Sequence, residues 1–169
     1  EWLGSWGVLT RLAGYVLGTD GDGDQLLRWL SEHPSVDLSF VQRSTDVRTL
    51  VSRTVPFTDG HKYLLCVGYG KVTVTPPTPA MFEGVEILEI AFYHRQVVGN
   101  AAAIEMARLA SERGVKIVAM DVISTDETAL PPAAVVINSA DSIREVFPDA
   151  DVREHSLSLR AAGHGIIIV

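Results

Sequence analysis

From residue 86 onward the chain alternates short apolar runs with helical stretches, and that succession constrains the fold more than any other feature. Glu86 to Tyr93 reads as a strand, and Lys116 to Val122 as a second. Between them, Asn100 to Arg113 reads as a helix with Asn100 as its N-cap and Gly114 as its stop. Ala133 to Ile137 is a third strand, and Ile166 to Val169 a fourth. Ser139 to Phe147 and Val152 to Ala162 are helices. Apolar strands joined through helices build a parallel sheet covered by those helices.

The first part of the chain has a different character. Trp6 to Leu12 reads as a short helical stretch, and Tyr15-Val16-Leu17 as a possible strand. Gly18-Thr19-Asp20-Gly21-Asp22-Gly23 is a turn, and a helix follows from about Asp24 to Glu32, with Leu26, Leu27 and Leu30 on one face and Pro34 beyond its end. Residues 37–76 are β-rich: Val36 to Val41, Arg48 to Val55 and Tyr63 to Val67 alternate, with a turn signal at Thr58-Asp59-Gly60. Pro76-Pro77-Thr78-Pro79 closes this section and marks a boundary.

Composition narrows the partners. Of 169 residues, 47% are hydrophobic and 21% charged, enough apolar material for a real core. Fourteen basic against 21 acidic residues give a net charge of −7 without a Lys/Arg cluster, which argues against nucleic acid or an anionic membrane as partner. A small phosphate site remains open, because backbone amides bind anions without a basic surface. The single cysteine, Cys66, excludes an intrachain disulfide and a cysteine-based zinc site, and fits a reducing, cytoplasmic setting. No apolar run approaches the ~20 residues of a membrane span. The chain starts without Met and stops inside the apolar run Ile166 to Val169, so a fragment is the expectation.

Several side chains invite chemistry. Asp20 to Asp24 has the look of a calcium loop, but Gln25 and Ser31 stand where an EF-hand needs Gly and Glu, so a polar turn opening a helix is the better reading. Cys66, inside an apolar strand pattern, reads as a small buried side chain rather than a nucleophile. The five histidines lack metal-ligand spacing. Three positions stand out: His94 after Tyr93, Asp121 and Asn138 each end an apolar strand. Ligands of open α/β sheets bind at the carboxyl ends of strands, so these polar residues would converge on one crevice. The plainer alternative is that each caps a loop or the next helix.

In order along the chain, these features resemble the ribokinase-like (PfkB) carbohydrate kinases. Gly18 to Gly23 resembles that family's Gly-Asp-Asp-x-x-Gly segment, with Thr19 for the first Asp, followed by an amphipathic helix and the pair Val36-Asp37. Thr49 with the strand after it, and Asp59-Gly60-His61-Lys62, resemble the strand and hairpin of the family's β lid. Gly68-Tyr69-Gly70 and Thr75-Pro76 resemble the segments that leave the lid. Ala110 to Asp121 resembles a helix-to-strand step, and Asn138-Ser139-Ala140-Asp141 the Asn-x-x-Glu motif, with Asp for Glu.

The resemblance implies a three-layer α/β/α fold with a mostly parallel sheet and a small β lid. Residues 1–36 and 77–169 would form a partial core, and residues 37–76 the lid. It implies transfer of the ATP γ-phosphoryl group to a hydroxyl of a sugar or nucleoside. Tyr93, His94 and Asp121 would face the substrate, Asn138 the nucleotide phosphates, and Asp141 would help hold Mg2+ through water. The lid could pair two copies into a homodimer. The family's Gly-rich segment, with its anion hole and catalytic Asp, has no counterpart here, so no catalytic residue is assigned. That departure keeps a non-catalytic sugar- or nucleotide-binding or dimerisation module as the alternative.

Overall fold

The computed structural model describes residues 6–58, 62–67, 72–92, 97–122, 130–149 and 151–169; for Lys62, Leu64 and residues 97–99 it describes the backbone alone. The chain divides into two compact units, Glu1–Pro76 and Pro77–Val169, with the division inside the proline-rich stretch.

In the first unit, β1 (Thr10–Arg11) pairs in parallel with β3 (Val36–Asp37), and β2 (Leu17–Gly18) with β4 (Arg43–Ser44). Helix α1 (Gly21–Ser31) lies between β2 and β3 in sequence, and β5 (Val51–Pro56) and β6 (Lys62–Val67) form an antiparallel hairpin. Asp20 caps α1 by accepting from the Gly23 amide, Asp22 and Asp24 occupy its first turn, and Arg28 its last. These charges oppose the helix dipole. Leu26, Leu27 and Leu30 are half-buried along one side, as their spacing predicts.

Three expectations for this unit are corrected. Trp6 to Leu12 is not helical; Thr10 and Arg11 are strand residues, and Arg11 pairs with the Asp37 carboxylate at 2.8 Å. Gly7 inside the stretch and Gly14 just beyond it take positive φ, and a helix that short cannot sustain itself. The alternation from Val36 to Val41 yields only a two-residue strand, because the Asp37 side chain accepts from the Ser39 amide and turns the chain. Cys66 is exposed, opposite the equally exposed Ser52, so the side of the hairpin it shares faces solvent. Asp59 to His61 and Gly68 to Gly70, parts of the expected turn and lid exit, lie outside the described residues.

The second unit holds β7 (Ile87–Ala91), α2 (Val97–Ser111), β8 (Lys116–Met120), β9 (Val135–Ile137), α3 (Ala140–Val146), α4 (Val152–Ala161) and β10 (Ile166–Ile168). Its four strands form one parallel sheet in the order β10-β9-β8-β7. Ile117, Ala119 and Val136 on the strands are buried, as are Ala107 and Ala110 on α2 and Ile143 on α3. Helix α2 begins at Val97, so Asn100 lies in its first turn and is not the N-cap. Its end is as expected: Gly114 takes φ 71°, and the Gly114 and Val115 amides return to the carbonyls of Ser111 and Ala110.

His164, 4% exposed, fastens the start of this sheet. Its Nδ1 accepts from the Ala133 amide at 3.1 Å, just before β9. Burial holds its pKa below the usual imidazole value. The fold therefore favours neutral His164. The resulting stability is fully present above the unfolded imidazole pKa, about 6.5, and is lost as pH falls below it. Urea unfolding at pH 7.5 and pH 5 should show the loss in the native chain, and His164→Asn should flatten the slope. Equal slopes in the two proteins would exclude His164 as the cause.

Candidate functional site at the carboxyl edge of the parallel sheet

Parallel strands end together, so the residues after β8 and β9 share one edge of the sheet. Asp121 follows Met120 there, and its amide donates to the Ile137 carbonyl at 2.9 Å. Its backbone is left-handed, at φ 55°. Asn138 follows Ile137 and is buried; its own amide donates to the Ile168 carbonyl at 2.9 Å. The Asn138 side chain turns the other way. Its Oδ1 accepts from the Val122 amide at 2.8 Å, and its Nδ2 donates to the Val122 carbonyl at 3.0 Å.

Asp141 is in the first turn of α3, whose N-cap is Ser139. Its side chain is 95% exposed and 3.5 Å from Arg144. The structure thus brings Asp121 and Asn138 together through Val122, and leaves Asp141 three residues further on, open to solvent. Tyr93 and His94 lie outside the described residues.

One member of this edge escapes a reading of the sequence. His155, on α4, places Nε2 3.3 Å from the Val122 carbonyl, and its ring lies against Phe147 with centroids 6.2 Å apart. Nothing in its spacing announces this, because 33 residues separate it from Val122 and only the fold closes the gap. Val122, fully buried, is therefore where the ends of β8 and β9 and helix α4 meet.

In the first unit, the Gly18–Gly23 segment is closed upon itself. Asp20 accepts from the Gly23 amide at 2.9 Å, the Thr49 hydroxyl at 2.6 Å and the Thr49 amide at 2.9 Å. The Thr49 hydroxyl accepts in turn from the Gly18 amide at 3.0 Å. These bonds, that of the Thr49 hydroxyl foremost, lower the Asp20 pKa to about 2. Arg43 donates to the Gly18 carbonyl and reaches Asp24 at 2.6 Å. The carboxylate of Asp20 is committed to holding the turn.

No protein-family model matches the chain, and no curated protein matches it in sequence. Solved structures do match its fold. A PfkB protein from Polaromonas sp. JS666 aligns over 93% of this chain and 58% of its own, at 15% identity and a TM-score of 0.68. Fructokinase from Xylella fastidiosa aligns over 93% and 53%, at 15% identity and a TM-score of 0.67. Aminoimidazole riboside kinase from Salmonella enterica, complexed with aminoimidazole riboside and an ATP analogue, aligns over 93% and 56%, at 16% identity and a TM-score of 0.61. The chain spans little more than half the length of these structures. Identities this low speak for architecture rather than activity. On that ground the chain has the ribokinase-like α/β fold of the PfkB carbohydrate kinases.

Proposed function

We propose that this chain is part of an ATP-dependent kinase that phosphorylates a hydroxyl of a sugar or sugar-like molecule. The observation that carries the reading is the placement of Asp121 and Asn138 at the adjacent ends of two parallel strands, with Asp141 just beyond, on a ribokinase-like fold. In an open parallel sheet this edge is where ligands bind. Asp121, with Tyr93 and His94, would contact the substrate hydroxyls, and Asn138 would serve the nucleotide side. Asp141 would hold Mg2+ through water. A single exposed carboxylate suits an ion that keeps most of its waters and takes its other oxygens from phosphate. Mg2+, when bound, supplies charge neutralisation of the phosphates. The section 37–76 would be a lid, in a cytoplasmic protein.

Thermal-shift titration tests this. Mg·ATP alone, and with a panel of sugars and nucleosides, is expected to raise the melting temperature, because a ligand bound only to the folded chain adds about 2.7 kcal/mol at a hundredfold excess over Kd. Release of ADP with one sugar would establish the kinase. A sugar shift with no nucleotide effect would leave a binding module instead.

One observation favours a dimerisation role, which the kinase and the non-catalytic module would share. The register of β5 against β6 puts Val55 opposite Tyr63 and Arg53 opposite Leu65. Val55, Phe57, Tyr63 and Leu65 therefore share one side of the hairpin, 43–68% exposed, with Phe57 and Tyr63 edge to face at 5.5 Å. A lone hairpin is marginal in water, and a contiguous apolar patch marks an interface. The occupant suited to this self-complementary strip is a second copy. The double variant Tyr63→Lys, Leu65→Glu is expected to sediment as a monomer where the native chain sediments as a dimer. A native chain monomeric at 100-micromolar scale concentration (~0.1 mM, where even weak interfaces of about −5.5 kcal/mol associate) would remove the dimer.

A further inference from the structure

Asp121 is the non-glycine residue, among those described, that holds a left-handed backbone. Aspartate tolerates that conformation but does not prefer it, so something must hold it. The residue that follows it, Val122, is gripped at both backbone groups by one side chain. The Asn138 carboxamide accepts from the Val122 amide and donates to the Val122 carbonyl, at 2.8 and 3.0 Å. A carboxamide has the donor and acceptor of a peptide unit, so Asn138 extends the β8–β9 pairing one step past the last strand residue. Its main chain meanwhile pairs outward, to Ile168 at the end of β10. At 4% exposed, its side chain is enclosed by this task.

We infer that Asn138 is a positioning residue. It grips Val122, holds Asp121 in the left-handed turn, and influences the bound ligand through that turn instead of through contact with the nucleotide. The identity of the ligand rests on the kinase reading; the grip does not.

Two variants of the full chain separate the possibilities. Asn138→Leu removes both bonds to Val122. Asn138→Asp keeps the acceptor for the Val122 amide and, as the neutral acid that burial against the Val122 carbonyl favours, a donor for that carbonyl. Amide hydrogen exchange by NMR should show Val122 exchanging about tenfold or more faster in Asn138→Leu, while the amides of β8 and β9 keep their protection, and nearly unchanged in Asn138→Asp. Mg·ATP titration should show affinity falling about tenfold or more in Asn138→Leu and by no more than about threefold in Asn138→Asp, since a displaced turn costs far more than a distant exchange of N for O. A carboxylate placed directly against phosphate would instead abolish binding in Asn138→Asp. That result, with Val122 still protected, overturns the inference, as does unchanged Val122 exchange in Asn138→Leu. Should the leucine variant fail to fold, the aspartate variant decides by the same two readouts. If the native chain does not bind Mg·ATP, the kinase reading falls while the exchange data still decide the grip.

Discussion

Gly23→Ala is expected to destabilise the 1–76 unit by about 3 kcal/mol, while Gly21→Ala in the same helical turn stabilises it slightly. Helix propensity alone assigns both substitutions the same sign, a gain of up to about 1 kcal/mol. The surroundings separate them. A Cβ on Gly21 would meet nothing within 4 Å. On Gly23 it would lie 2.3 Å from the Gly18 carbonyl oxygen and 2.8 Å from the Thr49 hydroxyl. The first is backbone and cannot rotate away, so the turn must open. Opening it breaks the bonds that join Gly18, Asp20, Gly23 and Thr49. Urea unfolding followed by circular dichroism would measure both variants. Equal stability of Gly23→Ala and the native chain would mean that the close approach of Gly18 to Gly23 does not exist in solution. The same network predicts acid sensitivity. The Asp20 pKa is lowered to about 2, so its contribution is present above the unfolded carboxylate value, near 3.8, and is lost as pH falls through 2.

This turn also shows how far the sequence could be read. Asp and Gly between an apolar run and an amphipathic helix announce a turn that opens a helix at about Asp24; the helix starts three residues earlier, at Gly21, with Asp20 as its cap. The partner that makes the turn rigid, Thr49, is 29 residues away and invisible to local pattern. The 77–169 unit was more legible, because apolar strands and intervening helices carry their periodicity within each element. Even there, Asn100 suited an N-cap by residue type, yet the helix starts at Val97. Cys66 misled because an apolar run implies burial only where something covers it, and this two-stranded hairpin exposes residues on both sides. The candidate site divides in the same way. Asp121 and Asn138 could be found from their places at strand ends, whereas the hold of the Asn138 side chain on Val122, and the approach of His155, come only from the sheet register and the path of α4.

Ile143→Ala is expected to cost about 3–4 kcal/mol and to release the helix that carries Asp141, while Ile143→Val costs about 1 kcal/mol. Helix α3 has seven residues, too few to persist on its own backbone bonds. Ile143 is its buried residue, with no exposed surface, and so anchors the helix to the unit. Truncation to alanine removes three carbons from a closed site and leaves a cavity that a short, already constrained helix cannot easily collapse to fill. Asp141 makes the matching control. Its side chain stands open to solvent, so Asp141→Ala should change stability by no more than about 0.5 kcal/mol. If Asp141 holds Mg2+ through water, the same substitution should nonetheless erase the Mg2+ dependence of the ATP-induced thermal shift. Ile143→Ala should lower both the stability and that shift, because it frees the helix on which Asp141 is mounted. A stable Asp141→Ala protein with an unchanged Mg2+ dependence would take the metal away from this residue. An Ile143→Ala protein as stable as the native chain would show that α3 is held elsewhere.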